Sequence, residues 1–492
     1  MKRESFAGKR VLVMGLGRFG GGVDVVRFAH GVGARVTVTD LASAQQLEDS
    51  ISRLKDLEGI EFHLDSHDPA DFEQADIVVA NPAVPNDNEF LQIARRTGNV
   101  VTFQVNIFFE LCPAPIIGIT GANGKSTTTA LTAHLLKVTM DDGRWTKDAP
   151  VIASEAKQSQ TTQSAIRNPQ YENVWLSGNI GNRPLLTTID QIRPDDLVVL
   201  ELSSFQLEQL AHIQKAPQVS LLTNLTPNHL DRHGTFANYC TAKENIFKFQ
   251  KLRADAPAVS IFNAEDKIAA QWFEKYKNDL GRICMKFSTE DVSEDIRSVF
   301  PLPGRANLSN LAAAMAIARH FGINAEQIKN CLPEFKALPH RLELVEESDG
   351  VRWYNDSIAT TPQSAIAALE AFEQPVIIIA GGYDKNLPYD ELGVKIVERA
   401  KAAILIGQTA PKIRCAIRDA QYVMSGQPEF RIEIVDSLER AVEWAHNLAV
   451  TGDVVLLSPA CASYDMFDNF EHRGKEFLNL VRALGTQKPT FR

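Results

Sequence analysis

The sequence predicts an α/β protein of three domains: an N-terminal Rossmann-like domain, a central P-loop-type parallel sheet, and a C-terminal Rossmann-like domain. Three observations carry that expectation. Short apolar runs bounded by turn residues alternate with helix-like stretches along the chain, as in parallel sheets covered on both faces. Glycine-rich turns at 15–20 and 118–124 each follow an apolar run and open a helix-like segment. A length of 492 residues suggests about three domains, each able to bury its own core.

The first domain is expected over 1–113. Residues 10–14 read as a buried strand, and Gly15-x-Gly17-x-x-Gly20 as the turn after it. A second strand over 35–39 ends at Asp40, which lies 20 residues beyond Gly20. This is the dinucleotide-binding fingerprint, in which a pyrophosphate sits at a helix N-terminus and a carboxylate holds a ribose. Alone it reads as a nicotinamide site, and Asp40 also reads as an ordinary strand-end acid. A further strand over 75–80 leads into the loop Asn81-Pro-Ala-Val-Pro85, at a carboxyl end where ligands bind.

The second domain is expected over 114–337, with strands at 115–117, 173–176, 197–201, 219–223 and 258–262. Its first strand runs into Gly118-Ile-Thr-Gly121-Ala-Asn123-Gly124-Lys125-Ser126-Thr127 and then a helix-like run. Glycines let backbone N–H groups converge on phosphate, Lys125 would reach the β/γ-phosphates, and the Ser126 hydroxyl would meet Mg²⁺. Ile119 stands where the strict Walker pattern has its first glycine, so this is a variant P-loop. The stretch 139–172 is polar and rich in Gln, Ser and Thr at its centre, and reads as a mobile insertion. A tolerated insert on the far side of the sheet and a lid or partner-binding element both remain open for it.

The third domain is expected over 338–492, with strands at 351–355, 376–380, 402–406, 430–435 and 453–457.

Composition narrows the function. Net charge is −10 and the isoelectric point is near 5.7, unlike the basic footprint of a nucleic-acid binder. No apolar run approaches the roughly 20 residues of a membrane span, and no signal-peptide core precedes the first strand. The six cysteines have no metal-like spacing and read as reduced thiols of a cytoplasmic protein.

Other clusters carry chemistry. Asn179 lies in a glycine-flanked loop after a short strand. Glu201 ends the apolar run 197–200, where a P-loop enzyme holds Mg²⁺, although a plain strand-end acid is the alternative. His229-x-Asp231-x-His233 imitates a transition-metal site, but its phosphate-binding neighbours favour Mg²⁺ with at most one imidazole. Lys243 looks like any exposed helix lysine.

Taken together and in order, GITGANGKST, GNIGN, ELSSFQLE, TNLTPNHLDRHG, Tyr239-x-x-x-Lys243, LPGRANLSN, LPHR, YNDSIAT, GGYDK and SPACASYDMFDNFEHRG resemble the Mur ligases. The resemblance covers nearly the whole chain except the region about 137–172. It implies an ATP-dependent, ADP-forming amide ligase of peptidoglycan precursor synthesis, cytoplasmic and monomeric, with UDP-N-acetylmuramoyl-L-alanine and D-glutamate as substrates. It implies that Gly121, Asn123, Gly124, Lys125, Ser126, Thr127, Asn307, Asn310, Arg341 and Asp356 bind ATP. Ser126, Glu201, His229 and a carbamylated Lys243 would hold Mg²⁺, with Lys125, Glu201, His229 and Lys243 as the catalytic set. Gly17 and Asp40 would hold uridine diphosphate, Asn179 the muramoyl group, and Lys385, Ser463 and Phe470 the incoming amino acid. The fingerprint at 15–40 would then serve UDP, not a nicotinamide. The third domain would swing in before the reactive intermediate forms. Two positions depart from the family pattern: Ile358 where many members have Lys, and Asn81-Pro-Ala-Val in place of a Ser-Pro-Gly turn.

Overall fold

Strand β1 (Arg10–Met14) lies at the centre of a parallel five-stranded sheet with β2 (Arg35–Thr39), β3 (Glu61–His63), β4 (Ile77–Ala80) and β5 (Val100–Phe103), in the order β3-β2-β1-β4-β5. The order reverses between β1 and β4, which opens a crevice at their carboxyl ends. Gly15, Asp40 and Asn81 all lie there, with Asn81 N donating to Met14 O at 2.8 Å. The structure, a computed structural model, describes residues 1–18, 20–141, 171–178, 184–424 and 430–484.

The second sheet joins β6 (Ile116–Thr120), β7 (Val174–Gly178), β8 (Leu197–Glu201), β9 (Val219–Leu222), β10 (Ala258–Asn263) and β11 (Arg282–Phe287) in the order β11-β10-β9-β6-β8-β7, all parallel. Every residue of β6, β8, β9 and β10 is buried, as expected where helices cover both faces. The helix Lys125–Asp141 follows β6 and runs into the first residues of the expected insertion 139–172, of which 142–170 lie outside the described residues.

The third sheet joins β12 (Glu343–Ser348), β13 (Val351–Asn355), β14 (Val376–Gly381), β15 (Ala400–Ile406), β16 (Arg431–Ile434) and β17 (Val454–Leu457) in the order β12-β13-β17-β14-β15-β16. It is mixed: β12 and β13 form an antiparallel pair, and the other strands are parallel.

The chain divides into two compact units, one of Met1–Val292 with Asn310–Cys331, the other of Ser293–Ser309 with Leu332–Arg492. The first contains two sheets and the second contains the third.

Within the first unit, the side chain of Asp24, 4% exposed on the helix Gly21–Gly31, ties the two sheets together. Its carboxylate accepts hydrogen bonds from the backbone N–H groups of Leu185, Leu186 and Thr187, the Thr187 hydroxyl and Gln104 Nε2, all at 2.6–2.9 Å. Among the described residues no helix is long and apolar enough to cross a membrane.

Candidate active site

The glycine loop is held from below by the end of the neighbouring strand β9. Thr223 Oγ1 donates to Asn123 O at 2.6 Å, Asn224 Nδ2 donates to the same oxygen at 3.1 Å, and Asn224 Oδ1 accepts from Asn123 N at 3.0 Å. Ala122 N donates to Asn224 O at 2.8 Å. This close approach needs glycine. Gly121 has φ +151°, and a Cβ there would fall 1.9 Å from Thr223 Oγ1. Gly124 has φ +80°, and its Cβ would fall 2.1 Å from Asn310 Oδ1. Thr223 and Asn224 sit inside a motif visible in the sequence, but only the fold shows that they brace the loop.

Behind the loop, Lys125 Nζ donates to Ala122 O at 2.9 Å, Ser126 lies half-buried in the first helical turn, and Thr127 is buried. Asn310 approaches the same turn, its Oδ1 accepting from Thr128 Oγ1 at 3.3 Å. One strand over, Glu201 pairs in register with Ile119 and is 1% exposed.

Lys243 is the residue whose surroundings differ most from the sequence expectation. It is no surface lysine: it is 2% exposed on the helix Phe236–Lys248. Its Nζ donates to Thr120 Oγ1 at 3.0 Å, and that hydroxyl donates on to Leu202 O at 2.7 Å. Burial, followed by the charge of Lys125, holds the Lys243 pKa well below the ordinary lysine value, with Glu201 opposing. Lys125, Glu201 and Lys243 are therefore near neighbours.

His229 has a left-handed backbone at φ 51°, and its ring lies 5.1 Å from that of Phe205. Partial desolvation and the charges of Lys125 and Lys243 keep its imidazole below its usual pKa, hence neutral and able to act as a ligand. His233 packs on the same ring of Phe205 but has other polar partners. It is buried, stacks on Phe205 at 5.5 Å, and has Ser204 Oγ 3.0 Å from Nε2 and Glu208 Oε1 3.3 Å from Nδ1. The His-x-Asp-x-His spacing therefore does not form one metal cage. Among the described residues no three His, Cys, Asp or Glu side chains converge as a ligand set.

In the first sheet, Asp40 Oδ2 accepts from Gly17 N at 3.1 Å and Oδ1 from Ala42 N at 2.9 Å. The acid braces the glycine turn it was paired with in the sequence. Asn179 lies outside the described residues.

In the second unit the candidate residues follow three neighbouring strands. Asp356 follows β13, Lys385 follows β14, and Ser463 follows β17. Asp356 is buried, with Oδ1 accepting from Leu342 N at 3.2 Å and Oδ2 from Ser458 Oγ at 2.9 Å. Burial pushes its carboxyl up to about 7, against those hydrogen bonds and the charge of Arg341. Tyr383 N donates to Ala462 O at 2.9 Å, which joins the Lys385 loop to the Ser463 loop. Lys385 is exposed and Ser463 buried. Phe470 opens the helix Phe470–Leu484, its carbonyl accepting from Ser357 Oγ at 2.8 Å. Asn307 is 8% exposed and donates to Pro303 O at 2.8 Å.

Arg473 lies in the last of the motifs quoted above but was given no role there. It is 1% exposed, and it donates to Ser357 Oγ at 3.0 Å, Ser357 O at 2.9 Å and Cys461 O at 3.1 Å. It thereby ties the Ser463 loop to the segment after β13.

These features coincide with known families. Residues 9–102 match the model of the Mur ligase MurD-like N-terminal domain, 119–318 the Mur ligase middle domain, and 340–461 the Mur ligase glutamate ligase domain. The chain is 40% identical over 501 aligned residues to UDP-N-acetylmuramoylalanine--D-glutamate ligase of Roseiflexus sp. (strain RS-1), covering 97% of this chain and 99% of that one. It is 35% identical to the enzyme of the same name from Acetivibrio thermocellus, covering 98% of each chain. Its fold is similar to that of UDP-N-acetylmuramate-alanine ligase from Thermotoga maritima, with a TM-score of 0.56 at 16% identity, covering 97% of this chain and all of that one.

Proposed function

The chain belongs to the Mur ligase family, and on that premise we propose that it joins D-glutamate to UDP-N-acetylmuramoyl-L-alanine, using ATP and releasing ADP and phosphate, in peptidoglycan precursor synthesis. The observation that carries the reading is the buried pair Glu201 and Lys243 beside half-buried Lys125, next to a glycine loop too crowded for any side chain at Gly121 or Gly124.

The residues fit a nucleotide triphosphate with a divalent cation. The loop brings backbone N–H groups and Lys125 to one place, which suits phosphate. We assign ATP to Gly121, Asn123, Gly124, Lys125, Ser126, Thr127, Asn307 and Asn310, with Arg341 and Asp356. The Ser126 hydroxyl, the Glu201 carboxylate and the neutral His229 imidazole suit Mg²⁺, which prefers oxygen and tolerates an imidazole. Lys243 fits only after a change of charge. Its depressed pKa favours the free amine, and that amine would add CO₂ and lose a proton to become a carbamate, an oxygen donor. Mg²⁺, when bound, supplies neutralisation between the two reacting anions. Gly17 and Asp40 serve the uridine diphosphate, Asn179 the muramoyl group, and Lys385, Ser463 and Phe470 the glutamate.

The chemistry proceeds in two displacements. The terminal carboxylate oxygen of the alanyl substrate attacks the γ-phosphorus and ADP leaves, with Lys125 holding the transferred group. The glutamate amine then attacks the acyl phosphate carbon, loses a proton, and phosphate departs as the amide forms. The monomeric state and cytoplasmic location belong to the same proposal.

The test is phosphate release from ATP and Mg²⁺ with UDP-N-acetylmuramoyl-L-alanine, comparing D-glutamate with L-glutamate. Turnover with the D-isomer alone is expected. Turnover with L-glutamate alone would keep the mechanism and change the product, with Ile358 and its surroundings the first region to mutate.

A further inference from the structure

A cavity of about 670 Å³ lies in the first unit along strand β5, and none of the residues assigned above lines it. Its walls are β5, the N-terminal turn with Met1 and Lys9, and the end of the helix Ser204–His212 with Ile213 beyond it. Strand β5 is the edge of its sheet and, among the described residues, pairs with β4 alone. Its outer row of N–H and C=O groups has no strand beside it, and Val100 and Val101 leave the start of that row accessible to an extended chain.

A second, independent feature is Asn106. It is 3% exposed, and its Nδ2 donates to Gln209 O at 3.0 Å, which fixes the sense of the amide. Asn106 lines the cavity, and its buried Oδ1 accepts no hydrogen bond among the described residues. Such an acceptor costs about 1–3 kcal/mol unless a donor reaches it. Asn86 also lines the cavity, and its Oδ1 is likewise buried without a partner among the described residues.

The charges point the same way. Both carboxylates on the wall are engaged, Glu110 by the Met1 ammonium and Asp76 by Arg10, whose backbone N lies 2.8 Å and Nη2 3.3 Å away. Arg95 donates to Asn86 O at 2.5 Å, and among the described residues neither Arg95 nor Lys9 forms an ion pair with a carboxylate. Burial and the nearby Arg95 charge keep His212 below its usual pKa.

We propose that this cavity binds the carboxyl-terminal end of a short extended peptide. The carboxylate lies on Arg95 with Lys9 beside it. Amide N–H groups reach Asn106 Oδ1 and the open edge of β5, and apolar side chains pack on Val101, Phe103 and Ile213. The site is separate from the ligase reaction and does not depend on the reading given above.

Calorimetric titration of the full chain with acetyl-Val-Leu, as the free acid and as its C-terminal amide, tests the proposal. The acid is expected to bind about tenfold or more tightly than the amide, since a hydrogen-bonded charge is lost in the amide. Arg95→Ala should weaken the acid to a similar degree, Arg95→Lys should restore part of the affinity, and the melting temperature and the affinity for the UDP-substrate should hold. Equal affinity for acid and amide, no binding up to about 10 mM peptide, or indifference to Arg95→Ala would overturn it. So would displacement of the peptide by UDP-N-acetylmuramoyl-L-alanine, which would place the peptide at the catalytic face.

Discussion

Asp24 offers the sharpest stability test, because its whole set of bonds is visible. Its Oδ2 accepts from Leu185 N, Leu186 N and Gln104 Nε2, and its Oδ1 from Thr187 N and Thr187 Oγ1. Asp24→Ala would strand three backbone N–H groups in a site 4% exposed, and each such donor costs about 1 kcal/mol or more. The sum is about 3 kcal/mol, consistent with the cost of breaking a buried charged contact. In a unit of this size that lowers the melting temperature by about 5 °C. Asp24→Asn keeps the shape but turns one oxygen into a donor. Whichever way the amide sits, it faces at least two other donors, so the loss should approach that of alanine. Urea unfolding followed by tryptophan fluorescence measures both. Because residues 185–187 follow closely on Asn179, KM for the UDP-substrate should rise before kcat falls. A loss below about 1 kcal/mol for Asp24→Ala, with unchanged KM, would refute the claim that this carboxylate holds the two sheets together.

Three further outcomes are expected. Lys243→Ala should abolish ligation, and formate or acetate in solution should restore part of it; near-normal turnover would end the metal-bridging role. Gly121→Ala, whose Cβ meets Thr223 Oγ1 at 1.9 Å, should remove ATP binding by equilibrium dialysis while Thr223→Ala relieves part of the clash. Asp356 is pushed up to about 7 by burial, above its unfolded value near 3.8. The folded protein therefore binds the extra proton, and this group's contribution to stability falls as pH rises from about 4 to 7. Asp356→Asn should flatten that dependence and reduce ATP-dependent turnover; an unchanged stability profile would show that the carboxyl titrates normally.

The order of apolar runs marked every central strand, because a strand covered on both faces is apolar along most of its length, as in β6 and β8. The four unexpected strands, β3, β5, β11 and β12, all lie at sheet edges. There one flank meets solvent, and sequences such as Glu61-Phe-His and Glu343-Leu-Val-Glu-Glu-Ser no longer read as strand. The phosphate loop was legible for a local reason: its glycines and Lys125 are consecutive, and backbone geometry depends on neighbours in the chain. Glu201 was legible because a strand end announces itself. The surroundings of Lys243 were not, since its helix pattern is that of a surface lysine, whereas burial, the Thr120 hydroxyl and the Lys125 charge reach it from a distant part of the chain. The same holds for the different polar partners of His229 and His233, for the Thr223–Asn224 brace, and for Asp24 and Arg473. The sequence alone determined which chemical groups the protein carries and in what backbone setting. Only the tertiary structure decided which of them lose water and what they face, because burial and partners come from residues far apart in the chain.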